Sequence, residues 1–138
     1  MLNSIVRRMV IALMALWPLQ VVQADELTVD KRLREVMTTQ LDLTACGDTA
    51  YTYQSDEETA EIYNNLSFQL LDKTKEVGWT SEDLAIATVL VMENRTDLVL
   101  REDDTLEEFR LRNYTGERCE RQVAAAKHYL IDDFPAPR

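Results

Sequence analysis

The sequence predicts an all-α protein, a small bundle of four to five helices closed by one disulfide. Residues 25–138 are rich in Ala, Leu, Glu, Lys and Arg and contain few glycines and prolines, which favours helices. Apolar residues recur there every three to four positions, which is the spacing of one helix face. Two cysteines, Cys46 and Cys119, supply one possible intramolecular cross-link.

The first 24 residues have the pattern of a secretory signal peptide. Arg7 and Arg8 precede an apolar run from Met9 to Val22, and Ala24 ends a cleavage site of the A-x-A type. This run is shorter than the roughly 20 residues that span a bilayer. We therefore expect cleavage after Ala24 and no stable membrane insertion afterwards. Position 25, directly after the expected cleavage site, is not cysteine, so we expect no lipid anchor there.

The charge of the chain limits its partners. Loss of Arg7 and Arg8 with the leader moves the formal net charge from −10 to −12. Nucleic acids and anionic lipid surfaces repel such a chain, so we expect no nucleic-acid binding. The charge suits either simple solubility or a basic partner. Export together with an even cysteine count indicates an oxidising compartment, and we predict the periplasm of a Gram-negative bacterium.

Two helices are predicted in the first half of residues 25–138. The first covers about 28–53, and Gly47 either ends it or lies within it. The second starts at Ser55, because Ser55 and Glu58 have the spacing of a capping box. It stops before Gly78, which suits the left-handed residue that follows a helix. The inward faces carry Val29, Leu33, Val36, Met37, Leu43 and Cys46 on the first helix, and Tyr63, Leu66, Leu70, Thr74 and Val77 on the second.

Three shorter helices are predicted in the second half. One follows Trp79, with residues 80–83 as its cap and acidic first turn, and extends to about Leu100, although 87–91 also fits a strand. Asp104 or Thr105 caps the next. After a break at Gly116 the last helix covers about 117–132, and residues 133–138 form a polar tail. The inward face of the helix after Trp79 carries Leu84, Ala87, Val91 and Met92, and that of the next helix carries Leu106 and Phe109. The inward face of the last helix carries Cys119, Val123, Ala126 and Leu130.

We expect no catalytic residue, no metal site and no cofactor. His128 is the single histidine, and the sequence contains no C-x-x-C, H-E-x-x-H or Glu-x-x-His motif. The acidic stretch 101–109 lacks the alternating ligands and central glycine of an EF-hand. Phosphate-binding glycine loops, G-x-S-x-G and dinucleotide fingerprints are also missing.

Cys119 is the one residue whose surroundings suggest reactivity. Arg118 and Arg121 flank it, and cationic neighbours lower the pKa of a thiol. A nucleophilic cysteine also needs a base, and His128 is about 13 Å further along the same helix and on the opposite face. A disulfide with Cys46 is therefore favoured over a reactive thiol or a metal ligand. The chain-entropy model values this link at about 4 kcal/mol.

Three aromatic residues are candidates for a partner surface if they are exposed: Trp79, Tyr63 and Tyr114. Trp79 follows Gly78 at an interhelix corner, where a tryptophan more often plugs the end of the bundle. The sequence also contains three N-x-S/T sequons, which would carry glycans in a eukaryotic secreted protein and have no meaning in a bacterial periplasm. They begin at Asn65, Asn94 and Asn113.

These features resemble one family over roughly residues 30–131. Cys46 lies at the end of the first helix, Gly78-Trp79 forms a corner, and "CERQVAAAKHYL" opens an alanine-rich last helix at Cys119. This pattern is similar to the helical pilotins of type II secretion, the PulS/OutS family, and their soluble periplasmic relatives. The resemblance implies a Cys46–Cys119 disulfide and an interhelical groove that receives a partner's helical segment. The chain departs from the family in having no lipobox.

The expected function is that of a non-enzymatic periplasmic protein that binds another polypeptide through an interhelical groove or its acidic face. An immunity or inhibitor protein against a toxin or hydrolase is one alternative, since such proteins are often small, exported, acidic and disulfide-closed. An acid-stress chaperone is another. At low pH the 25 acids become neutral and the net charge reaches about +14, so that self-repulsion opens the bundle.

Overall fold

The computed structural model describes residues 27–138, and the predicted signal peptide lies outside the described residues. Within 27–138 the chain forms five α-helices and no strand. The prediction of an all-α bundle closed by one disulfide is confirmed. The helices are α1 (Lys31–Tyr53), α2 (Glu57–Glu76), α3 (Ser81–Glu93), α4 (Leu106–Asn113) and α5 (Gly116–Ile131).

Helix α1 is the central element of the bundle. It contacts each of the other four helices, and α2 also packs against α5. Its 23 residues span about 35 Å at 1.5 Å per residue. Leu33 and Met37 join a core with α3, while Val36 and Leu43 join a second core with α2 and α5. Because α1 is covered on several sides, it also buries polar side chains that need partners.

Helix α1 continues through Gly47 without a break and ends at Tyr53, so Gly47 lies within the first helix. A Cβ atom at Gly47 would lie 2.2 Å from Asn64 Oδ1 of α2, so the missing side chain allows the two helices to approach closely. Nearby, Gln40 Nε2 donates to Ser67 Oγ at 3.0 Å, and the hydroxyls of Thr44 and Ser67 lie 2.7 Å apart. The polar groups buried between α1 and α2 therefore satisfy one another.

The helix starts agree only in part with the sequence patterns. Asp56, and not Ser55, caps α2 by accepting from Thr59 N at 3.1 Å, and Ser55 has a φ of +52° in the preceding turn. Thr80 forms the expected cap of α3, completed by the side chain of Asp83. Helix α3 ends at Glu93 rather than near residue 100, so residues 94–105 form an irregular connection to α4.

The start of α4 and the break after α2 complete these boundaries. Thr105, and not Asp104, caps α4 in a capping box with Glu108. Gly78 has a φ of +107°, the left-handed conformation predicted for the residue after α2. The chain therefore turns sharply between α2 and α3, which places both helices against α1.

Substitution of Gly47 tests the close approach of α1 and α2. We expect Gly47→Ala to lower the free energy of unfolding by about 1–3 kcal/mol, because the new methyl group displaces Asn64. In an Asn64→Ala background the obstacle is removed, and the helix propensity of alanine, about 1 kcal/mol better than that of glycine, makes the substitution neutral or stabilising. Urea unfolding of the four proteins measures both effects. An identical effect in the two backgrounds would contradict the assignment.

Candidate functional site

An open groove of about 410 Å³ lies between α1, the end of α3, the 94–105 connection and α4. This volume is within the range of protein ligand sites, and it holds a few side chains rather than a whole helix. The lining is mostly apolar. On the side opposite α1, six of the lining residues are apolar or aromatic: Val91, Met92, Leu98, Leu106, Phe109 and Tyr114.

The rim of the groove combines exposed apolar and acidic side chains. Met92 and Leu106 are 67% and 62% exposed, so two large apolar groups face solvent at its mouth. Exposed Asp48 of α1 is the acid of the lining, and Arg95 and Arg110 are its cations. Exposed Glu93 and Glu107 follow Met92 and Leu106 in the sequence. The groove is therefore an apolar depression with Asp48 exposed in its lining and two further exposed acids next in sequence to its mouth residues.

The disulfide lies beneath the groove. Cys46 of α1 and Cys119 of α5 are bonded, with their Cα atoms 6.0 Å apart and no exposed surface. Tyr114 packs on the disulfide from the groove side, and Phe109 meets the Tyr114 ring edge-on at 6.1 Å between centroids. The predicted pairing is confirmed, so neither sulfur remains as a thiol or thiolate ligand. A disulfide indicates an oxidising, exported environment.

Asp42 of α1 is a buried carboxylate that joins three parts of the chain. It is 1% exposed and accepts hydrogen bonds from Arg95 Nη1 at 2.8 Å and Gln122 Nε2 at 2.7 Å, and Arg118 Nη1 lies 3.7 Å away. Arg95 belongs to the connection, whereas Arg118 and Gln122 belong to α5. A buried carboxylate is costly unless it is paired. These donors therefore fix α1, α5 and the groove wall in one arrangement.

Asp97 extends this network towards solvent. It accepts from Arg95 Nε and Nη2, each at 3.0 Å, and pairs with Arg118. The hydrogen bonds from Arg95, and then those from Arg118, hold the pKa of Asp97 well below its usual range. Burial acts to lower the pKa of Arg95, but its hydrogen bonds to Asp97 and Asp42 outweigh burial and raise it. Asp97 therefore stays ionised well into the acid range.

A second set of side chains holds the other end of the connection. Arg112 Nη2 donates to Asp104 Oδ1 at 2.6 Å, and this pairing lowers the pKa of Asp104 to about 2. The Asn113 side chain makes two hydrogen bonds with the backbone of Val99. Its Oδ1 accepts from Val99 N at 2.7 Å, and its Nδ2 donates to Val99 O at 2.9 Å. The groove wall is irregular in backbone but fixed by side-chain bonds.

The three aromatic candidates lie in different places. Trp79 is 8% exposed near the N-terminal end of α1, away from the groove. Its indole Nε1 donates to Pro135 O at 2.8 Å. Tyr63 is half-buried between two cores. Tyr114 is 9% exposed and forms part of the groove floor. Of the three, Tyr114 alone lies at the groove, where it is part of the buried floor and not an exposed anchor.

The groove has features that the sequence patterns did not identify. Met92 and Leu106 were assigned to inward helix faces, but both lie at the open mouth. The available signal was the acid that follows each of them in the sequence, Glu93 and Glu107. Asn113 also differs from the other sequon residues, because it is 3% exposed and its amide is fully engaged, whereas Asn65 and Asn94 are exposed. A folded chain cannot carry a glycan on Asn113.

Residues 27–138 contain neither a metal-binding cluster nor a helix that could cross a membrane. Among residues 27–138, no three His, Cys, Asp or Glu side chains are grouped so that they could hold a metal ion. His128 is exposed and its Nδ1 lies 3.0 Å from Asp132 Oδ2. None of the described helices combines the length and the apolar character that a membrane crossing requires.

No protein-family model matches the chain, and neither does any curated protein or any solved structure. The resemblance to helical pilotins therefore stays a prediction.

Removal of the buried carboxylate tests the network. We expect Asp42→Asn to lower the free energy of unfolding by about 3 kcal/mol, because Arg95 and Arg118 lose the anion between them. Asp72→Asn is the matched control, since Asp72 is exposed on α2. Urea unfolding measures both variants. Equal stability of the two variants would show that Asp42 does not hold the network together.

The lowered pKa of Asp97 predicts a pH dependence. Its folded-state pKa lies below the ordinary value of 3.8, so its stabilising effect is complete above about pH 4 and is lost as the pH falls through the folded-state value. We expect the urea midpoint of the natural protein to fall between pH 4 and pH 2 more steeply than that of Asp97→Asn. Asp72→Asn serves again as the control and should follow the natural protein. Parallel curves for all three proteins would contradict the role of Asp97.

Proposed function

We propose that this chain is a non-enzymatic protein of a Gram-negative periplasm that holds a helical segment of another polypeptide in the groove between α1, α3 and α4. The observation that carries the proposal is the open, mostly apolar groove. Exposed Met92 and Leu106 at its mouth are apolar surface that a partner can cover.

The shape of the groove indicates how a helix would occupy it. A volume of about 410 Å³ receives side chains from one face of a helix, while the helix backbone stays outside. Apolar anchors one helical turn apart, at positions i and i+3 or i+4, fit such a depression. The proposed occupant is therefore an amphipathic helix whose apolar stripe meets the floor formed by Phe109 and Tyr114.

The charge of the rim indicates the polar residues of the occupant. Asp48 is exposed in the lining, and Glu93 and Glu107 are exposed next in sequence to Met92 and Leu106. The whole chain has a net charge of −10. The lining also contains two cations. Arg95 is bonded to Asp42 and Asp97, and the Arg110 guanidinium lies 5.7 Å from the centre of the Tyr114 ring. Lysine or arginine beside the apolar anchors would complement the acids and speed association. We therefore propose a basic amphipathic helix.

The walls of the groove support the proposal because they are held in place before binding. The disulfide fixes the floor, and Arg95 and Asn113 tie the connection to its neighbours. A preformed site loses less conformational freedom when it binds. The predicted leader, the disulfide and the resemblance to pilotins all support a periplasmic location for this binding.

A defined peptide tests the proposal. The probe is a short synthetic peptide with leucine at helical spacing and lysine elsewhere, titrated into the protein while methyl NMR signals of Met92 and Leu106 are followed. We expect saturable shifts at both residues and weaker binding at high salt, because screening reduces charge attraction. A peptide with the same leucines and glutamate in place of lysine should bind more weakly.

Matched variants distinguish binding in the groove from non-specific binding to exposed apolar surface. Leu106→Asp places a charge at the mouth and should weaken peptide binding about tenfold or more. Phe68→Asp is the control, since Phe68 of α2 is equally exposed and lies outside the groove lining. Circular dichroism confirms that both variants fold. If the two variants bind the peptide equally well, the groove is not the binding site.

A further inference from the structure

Residues 133–138, with the sequence DFPAPR, lie across the end of the bundle where α1 begins and α2 meets α3. Trp79 Nε1 donates to Pro135 O at 2.8 Å, and Arg32 Nη2 donates to Ala136 O at 3.0 Å. Two successive backbone carbonyls of this segment are therefore bound by side-chain donors from two separate parts of the bundle.

The side chains of the segment also have defined contacts. Phe134 packs on the core shared by α1, α2 and α5 and meets the Tyr129 ring at 6.3 Å between centroids. Pro137 lies next to Gly78, where an added Cβ would be 3.8 Å from the proline Cγ. The segment thus places an aromatic ring, two carbonyls and a proline ring against the bundle.

These contacts match the way in which proteins bind proline-containing peptides. Proline has no N–H to donate, so an extended proline-rich segment is recognised through its carbonyls and its ring surfaces, often by aromatic side chains. We propose that Arg32, Gly78, Trp79 and Tyr129 form a peptide-binding site for extended aromatic-Pro-x-Pro segments, and that residues 133–138 are its tethered ligand.

This site is separate from the groove. Arg32 lies in the first turn of α1, whereas the groove uses α1 from Leu41 to Asp48, roughly 15–25 Å further along the helix axis. A ligand on the same chain has a high effective concentration, so the segment keeps the site filled against free peptides. A separate peptide of this type binds once residues 133–138 are displaced.

The test uses residues 25–138, the chain expected after cleavage at Ala24, with a tail that cannot dock, obtained by combining Phe134→Gly with Pro137→Gly. The probe is a synthetic peptide with the natural sequence of residues 133–138. Trp17 belongs to the predicted leader, so Trp79 is the single tryptophan of residues 25–138 and reports on the site. We expect its emission to shift to the red in the tail variant and to return towards the natural value as peptide is added.

Two substitutions on the first turn of α1 provide the matched comparison. In the tail variant, Arg32→Ala should weaken peptide binding about tenfold, because the hydrogen bond to the second carbonyl is lost. Lys31→Ala, at the exposed neighbouring position, should leave it unchanged. Unchanged Trp79 emission in the tail variant, or a folded tail variant that does not bind the peptide, would overturn the proposal.

A second measurement applies if the tail variant does not fold. In the chain with its natural tail, hydrogen exchange of the Trp79 indole N–H reports how often the tail leaves the site. We expect Arg32→Ala to speed this exchange severalfold relative to Lys31→Ala. Equal exchange in the two proteins would show that the tail is not held by the Arg32 contact, and the proposed recognition would be wrong.

Discussion

The Cys46–Cys119 bond is the constraint on which the rest of this structure depends. It joins α1, which contacts every other described helix, to the first turn of α5. In the chain-entropy model it contributes about 4 kcal/mol, against a total stability of about 5–15 kcal/mol for a typical domain. Asp42 lies one turn before Cys46, and Arg118 immediately precedes Cys119, so a covalent and an ionic link join the same two helices.

The irregular connection between α3 and α4 depends on this junction. It forms one wall of the groove, yet its described residues are held mainly through side chains, by Arg95 on Asp42, by Asp97 on Arg118 and by Asn113 on Val99. Buried polar networks of this kind rigidify a structure when every member has a partner. The groove is therefore as well defined as the helices around it, although one of its walls has no regular secondary structure.

Local patterns were sufficient to predict the helices but not the groove. Periodicity located all five helices, and residues 80–83 were recognised as the cap and acidic first turn of α3, where Thr80 and Asp83 form the capping box. Asp42 could not be recognised, because a buried carboxylate looks like a surface one until its partner is known, and Arg95 is 53 residues away. The docking of residues 133–138 was missed for the same reason, since it depends on Trp79.

Hydrogen exchange of the oxidised and reduced protein tests the central claim most directly. The measurement compares backbone amides at a temperature where both forms remain folded. If the disulfide holds the groove in shape, reduction speeds exchange in the first turns of α5, around Tyr114 and in the 94–105 connection, while α2 is little affected. A uniform increase over all helices, or no change near the groove, would contradict the account.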